Sequence, residues 1–245
     1  MNDKTPAGAG VSIRGLTKRY GPVVGLDGLD LDLRVGGIVG LMGENGAGKT
    51  TLLKILAGVL AEWTGQVDLF GDRIGPQTKA FTSFLPDADF LPGRYRAADA
   101  VRLYADFFAD FDRERARSLI AGFGLPPDRR LKEFSKGMRE KLQIALTMSR
   151  RARLFLLDEP ISGVDPAARS EIMEHILANY DEDALLIMST HLIADIEPVV
   201  DRVVFLRGGR VVLQGDADEL RQIHGMSIDN LFRKAYRDVR ETVQA

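Results

Sequence analysis

Cysteine is absent from the 245 residues. Its absence excludes disulfides, cysteine-ligated zinc and a thiol nucleophile, and it accords with a reducing compartment. An excess of basic charge is missing too: 33 Lys and Arg stand against 35 Asp and Glu, for a net charge of −2 and a pI near 6.0. Nucleic-acid-binding domains show a pI above ~9 or a Lys/Arg-rich face, so no nucleic acid is expected as a partner. No run approaches the ~18 apolar residues of a membrane span, so a membrane role would need a second protein. Met1 to Gly10 has no apolar signal core and reads as a disordered lead-in. No internal repeat is visible. What remains is a globular composition, 45% hydrophobic, sufficient for one sizeable domain.

The densest signal in that composition is Gly43-Glu44-Asn45-Gly46-Ala47-Gly48-Lys49-Thr50-Thr51. It fits G-x-x-x-x-G-K-[ST] in full, the phosphate-binding P-loop. The apolar run Ile38 to Met42 before it reads as a buried strand, and Leu52 to Ala57 after it as the first turns of a helix. Glycines let backbone N–H groups converge on an anion, and the helix start adds about half a positive charge. In such a loop Lys49 reaches the β- and γ-phosphates and the Thr50 hydroxyl ligates Mg²⁺.

Around this loop the chain divides by texture. Val11 to Lys18, Leu29 to Leu33, Gln66 to Phe70 and Ala80 to Leu85 read as strands, suggesting a small antiparallel layer beside a parallel core. From Asp87 to about Arg151 helical spacing takes over. Val101, Tyr104, Ala105 and Phe108 form one apolar stripe, Asp112 and Ser135 are candidate N-caps, and the aromatics of this insertion read as core. Leu154 to Leu157 and Ala184 to Met188 then read as buried parallel strands, with a helix from Pro166 to Tyr180 between them capped by Asp165. Val203 to Leu213 reads as a hairpin turned at Gly208-Gly209. Ser227 to Val243 carries Ile228, Leu231, Phe232, Ala235, Tyr236 and Val239 on one face, an amphipathic helix expected to dock on the body. The expected fold class is α/β, a P-loop NTPase (RecA-like) core with a small antiparallel β layer and an inserted α-helical subdomain. Residues 1–86 and 152–215 form the core, 87–151 the insertion and 216–245 a C-terminal helical segment.

Asp158 and Glu159 end one of the buried strands, where open α/β sheets bind ligands. Two adjacent carboxylates there suit two tasks: Asp158 holding Mg²⁺ and Glu159 orienting water and accepting its proton. His191 ends the next strand and is within reach of a γ-phosphate or the attacking water. His175 and His224 lie in ordinary helical contexts.

These motifs, taken in order, resemble the nucleotide-binding subunit of an ATP-binding cassette (ABC) transporter over nearly the whole chain. Gly43 to Thr51 is the P-loop. Phe134-Ser135-Lys136-Gly137-Met138-Arg139 resembles the signature motif, and Leu154 to Pro160 the second Walker motif with Glu159 as its catalytic carboxylate. Ser162-Gly163-Val164-Asp165 resembles the D-loop, His191 the switch histidine, and Tyr20 the aromatic that stacks on adenine. Two departures stand out. Asp87 occupies the place of the Q-loop glutamine, where it becomes a candidate ligand for Mg²⁺ or water. Lys136 and Met138 replace a Gly and the Gln of the signature, while Ser135 and Gly137 remain.

The resemblance implies ATP and Mg²⁺ as cofactors, and a head-to-tail dimer in which Ser135 and Gly137 of one protomer cover ATP on the other's P-loop. It also implies an integral membrane transporter subunit as partner, and hence a cytoplasmic protein held at the inner face of the membrane. The relaxed signature is similar to those of bacterial ABC-2 type exporter ATPases. Ala88 to Tyr95, centred on Phe90 and Leu91, is the candidate docking stretch for the membrane subunit. Two other readings stay open: a non-transport ABC ATPase, and a largely regulatory half of a mixed ATPase dimer.

Overall fold

The computed structural model describes residues 8–243, with side chains described through Tyr236. Strands β1 (Ala9–Tyr20) and β2 (Val23–Arg34) form a long antiparallel hairpin. The strand β4 (Thr64–Leu69) pairs antiparallel with the other edge of β1, and β5 (Asp72–Arg73) closes a four-stranded sheet in the order β2-β1-β4-β5.

The second sheet has six strands. It consists of β3 (Ile38–Met42), β6 (Thr82–Leu85), β7 (Leu154–Asp158), β8 (Leu185–Thr190), β9 (Arg202–Arg207) and β10 (Arg210–Asp216), in the order β10-β9-β3-β8-β7-β6. All its pairings are parallel except the β9–β10 hairpin. Alternation along its central strands explains their unbroken apolar runs. Val39, Leu41, Leu154, Leu156, Leu185 and Ile187 face the antiparallel sheet, where Val11, Ile13 and Leu31 meet them. Ile38, Met42, Phe155, Leu157, Leu186 and Met188 face the helices on the opposite side.

Those helices are α3 (Ala97–Phe107), α4 (Arg113–Gly122) and α5 (Lys136–Met148), which follow one another between β6 and β7, then α6 (Pro166–Ala178), α7 (Ile193–Ile196), α8 (Ala217–His224) and α9 (Ile228–Val243). Two more, α1 (Lys49–Leu56) and α2 (Pro76–Ala80), follow β3 and β5. The expected caps are in place: Asp112 accepts from Glu114 and Arg115, Ser135 from Met138, and Asp165 from Ala168.

The structure corrects several expectations. The run from Ala80 to Leu85 does not join the antiparallel layer. Its strand, β6, is the parallel edge of the large sheet, in register with β7 from Thr82↔Leu154 to Leu85↔Leu157. The lead-in expected through Gly10 already pairs at Ala9, opposite Arg34, because the β1–β2 hairpin extends that far; Met1 to Ala7 lie outside the described residues. The aromatic stripe of α3 is only half-buried beyond Val101, and Phe107 stands 75% exposed. In α9, Ile228, Leu231 and Tyr236 pack inward as expected, while the side chain of Val239 lies outside the described set.

Candidate nucleotide site

The strand β3 delivers the loop 43–48 to the carboxyl edge of the parallel sheet, and α1 leaves it. Gly48 caps α1 in the left-handed region (φ 107°) with no side-chain hydrogen bond, leaving the first-turn N–H groups without a side-chain acceptor. Only glycine fits there, since a Cβ would lie 2.6 Å from the Gly25 carbonyl oxygen. Glu44, Asn45 and Gly46 are exposed at the mouth of the loop, whereas Gly43 and Ala47 are buried behind it. Lys49 is buried, and its Nζ donates to the Gly43 carbonyl at 2.7 Å and pairs with Glu159 Oε1 at 3.2 Å.

Parallel pairing of β7 with β8 sets Asp158 beside Ser189. Asp158 is 1% exposed; its Oδ1 accepts from Thr50 Oγ1 at 3.1 Å and from Ser189 Oγ at 2.6 Å. Its Oδ2 is equally buried and has no hydrogen-bond partner. A buried, unpartnered carboxylate oxygen beside a threonine hydroxyl asks for a cation. The donors are hard oxygens and few, which fits Mg²⁺, an ion that keeps several waters and phosphate oxygens in its shell.

Glu159 occupies the left-handed region (φ 51°), unusual for a residue with a Cβ and costing ~1–3 kcal/mol. Its N–H is held by Ser189, through the carbonyl at 3.2 Å and Oγ at 3.0 Å. The turn aims the carboxylate so that Oε1 meets Lys49 while Oε2 meets His191 Nδ1 at 2.9 Å. Glu159 is nearly buried and His191 is 42% exposed, so the pair spans the border between the site and solvent.

The remaining candidates surround this centre. Tyr20, at the end of β1, is half-exposed and its Oη lies 3.4 Å from Thr51 Oγ1. Asp87 follows β6 and shares a cavity of about 230 Å³ with Asp158, Glu159, Lys136 and Glu140. Partial burial pushes the Asp87 carboxyl above the usual carboxylate range, and the negative charges of Asp158 and Glu159 add to that. Ser135 and Gly137 sit apart. The Ser135 Oγ is exposed and bonded to Met138 N–H, and among the described residues neither Ser135 nor Gly137 hydrogen-bonds to the P-loop. Sequence reasoning overlooked Ser189, which holds both Asp158 and Glu159; its place in Ser-Thr-His, one residue before Thr190 at a strand end, was the available signal. The docking candidates divide: Leu91 is buried in the helical core, while Phe90 is 39% exposed beside Tyr104.

The geometry is that of a nucleotide-hydrolysing site, and comparisons with known proteins agree. Residues 26–162, more than half the chain, match the family model described as ABC transporter. The chain belongs to the ABC transporter family. As a member of it, the protein is an ATP-binding ATPase subunit of a transporter. It is 31% identical to the daunorubicin/doxorubicin resistance ATP-binding protein DrrA of Streptomyces peucetius, an alignment covering 96% of this chain and 73% of that protein. It is 30% identical to the Nod factor export ATP-binding protein I of Ralstonia nicotianae, over 90% and 73% of the two chains. Among solved structures, the ATP-binding subunit of an ABC transporter superposes with a TM-score of 0.80 at 28% identity, covering 92% of this chain and 99% of that one. In this ABC family member no helix among the described residues is long and apolar enough to cross a membrane.

Proposed function

We propose that this ATPase works as one half of a closing dimer that drives a separate membrane subunit of an exporter. The observation that carries the catalytic part is the Glu159 carboxylate poised between Lys49 and His191, beside the orphan oxygen of Asp158. The backbone N–H groups from Gly46 to Thr50 bind the phosphates, within the loop running from Gly43 through Glu44, Asn45 and Ala47 to Thr51, and Tyr20 stacks on the base. Lys49 turns from Glu159 to the β- and γ-phosphates. Thr50 and Asp158 would hold Mg²⁺, with Asp87 lining the adjoining cavity, and the ion would supply positive charge to neutralise the phosphate oxygens. The freed Glu159 carboxylate takes a proton from water, whose oxygen attacks the γ-phosphorus as the β–γ bridging bond breaks. His191, bonded to Glu159 Oε2, keeps that carboxylate oriented.

The dimer reading rests on α5. Its N-terminus carries an exposed Ser135 and a half-buried Gly137, with no hydrogen bond to the chain's own P-loop among the described residues, so a second protomer's γ-phosphate is the fitting target. Residues 87–151 act as the subdomain that relays closure. Its exposed Phe90 and Phe107, with Tyr104 and Phe108 beneath, form the apolar cluster offered to the membrane subunit, which would hold the protein at the inner face of the membrane. Export is favoured by the resistance and export roles in the names of the relatives. Measuring ATPase activity of the purified chain over a wide concentration range tests the dimer. Activity per protomer should fall on dilution; specific activity constant down to nanomolar protein would overturn a composite site.

A further inference from the structure

One buried polar group outside the cleft has no part in the chemistry above: the phenol of Tyr236 on α9, 5% exposed. Its hydroxyl donates to the Leu206 carbonyl at the end of β9. Burial pushes the phenol up to about 12, so it stays neutral and keeps the proton it donates. The helix is firmly seated at this point. Phe232 meets Phe205 edge-on at 5.2 Å, and Arg207 Nη1 donates to the Tyr236 carbonyl at 3.0 Å, its guanidinium lying over the Tyr236 ring. The approach to the loop is close: a Cβ on Gly43 would lie 3.3 Å from the Tyr236 hydroxyl and 2.6 Å from the Leu206 carbonyl oxygen.

The Glu44 N–H and the Gly43 C=O belong to one planar trans peptide and point in opposite directions. The Tyr236 hydroxyl backs Gly43 on one side, and the Gly43 C=O accepts from Lys49 Nζ at 2.7 Å. We propose that Tyr236 is a positioning residue for nucleotide binding: it grips the Gly43–Glu44 peptide from behind, keeps the Gly43 carbonyl turned toward Lys49, and so sets the mouth of the P-loop. The inference rests on the nucleotide site proposed above and extends it to the C-terminal helix. Without the hydroxyl, the Leu206 C=O loses a buried partner and Gly43 loses the group packed behind it. The Gly43–Glu44 peptide is then less confined, its carbonyl turns from Lys49, and Lys49 loses its inner anchor.

The test is Tyr236→Phe in the full chain, with Mg-ATP binding measured by calorimetry and saturating turnover measured alongside. The ATP dissociation constant should rise about 5–30-fold, the equivalent of one buried hydrogen bond, while kcat changes less than about threefold. Arg207→Met, which loosens the same helix end but keeps the hydroxyl, should shift affinity in the same direction by a smaller factor. A structural role alone would lower the Tm of both variants and leave ATP affinity at the parental value, and that result would overturn the proposal. Parental protein that binds no Mg-ATP would instead remove the nucleotide site itself, and the proposal with it.

Discussion

On the P-loop side of the cleft Lys49 and Asp158 are buried and held by neighbours within the chain. Lys49 is 6% exposed between the Gly43 carbonyl and Glu159, and Asp158 is 1% exposed between Thr50 and Ser189. On the α5 side the corresponding groups face outward: Ser135 is exposed and only caps its own helix, and a Cβ on Gly137 would meet nothing closer than Val164 at 3.4 Å. Burying charge is costly and is tolerated only with partners, so the P-loop side is a site built within one chain. The α5 side is satisfied only by its own helix cap and, among the described residues, makes no hydrogen bond to the P-loop, as a surface meant for another molecule would. The sharpest way to break this asymmetry is Glu159→Gln. It keeps the shape of the turn and removes the base, so turnover should fall by roughly 10²–10⁴ while ATP binding persists. Parental turnover in that variant, measured as phosphate release at saturating ATP, would take the catalytic role away from Glu159.

A second contrast lies within the helical insertion. Phe123 and Phe134 are core, at 5% and 4% exposure, whereas Phe107 is 75% exposed at the end of α3 and Phe90 39% exposed in the loop before it. A folded domain has no internal reason to leave two phenylalanines side by side in water over Tyr104 and Phe108. Replacing Phe90 and Phe107 together by Ala should weaken capture of the native membrane subunit about 10–100-fold, at ~1.5–3 kcal/mol per buried aromatic and allowing for non-additivity. ATPase activity of the isolated chain should stay within twofold. Undiminished co-purification of the membrane subunit would show that this cluster does not dock it.

What was legible in the sequence was local. The strand, glycine loop and helix from Ile38 to Leu56 follow from short-range pattern, and the caps at Asp112, Ser135 and Asp165 from residue type beside an apolar period. What escaped depended on partners far along the chain. The strand β6 reads like its antiparallel predecessors until β7, some seventy residues later, fixes it in the parallel sheet. Ser189 becomes a site residue only because register sets it across from Asp158. Leu91 and Phe90 are adjacent and alike in hydropathy, and only the packing of α3 sends one inward and leaves the other out.

Asp87 stands on the boundary between the two sides, sharing a cavity with Asp158 and Glu159 on one and with Lys136 and Glu140 of α5 on the other. The raised affinity of its carboxyl for a proton reflects burial first and then repulsion by Asp158 and Glu159. A carboxylate in that position works against the fold and for the cation. Asp87→Asn therefore separates the two effects by sign. In the absence of Mg²⁺, relief of like-charge repulsion should raise the Tm slightly, on the order of 1 °C, the group being largely exposed to screening. At neutral pH, half-maximal ATPase activity should require about 2–5-fold more Mg²⁺, because one negative charge near the ion has been lost. An unchanged Mg²⁺ requirement, with the Tm still raised, would place Asp87 outside the ion's shell and leave it on the α5 side of the divide, as a spectator beside Lys136.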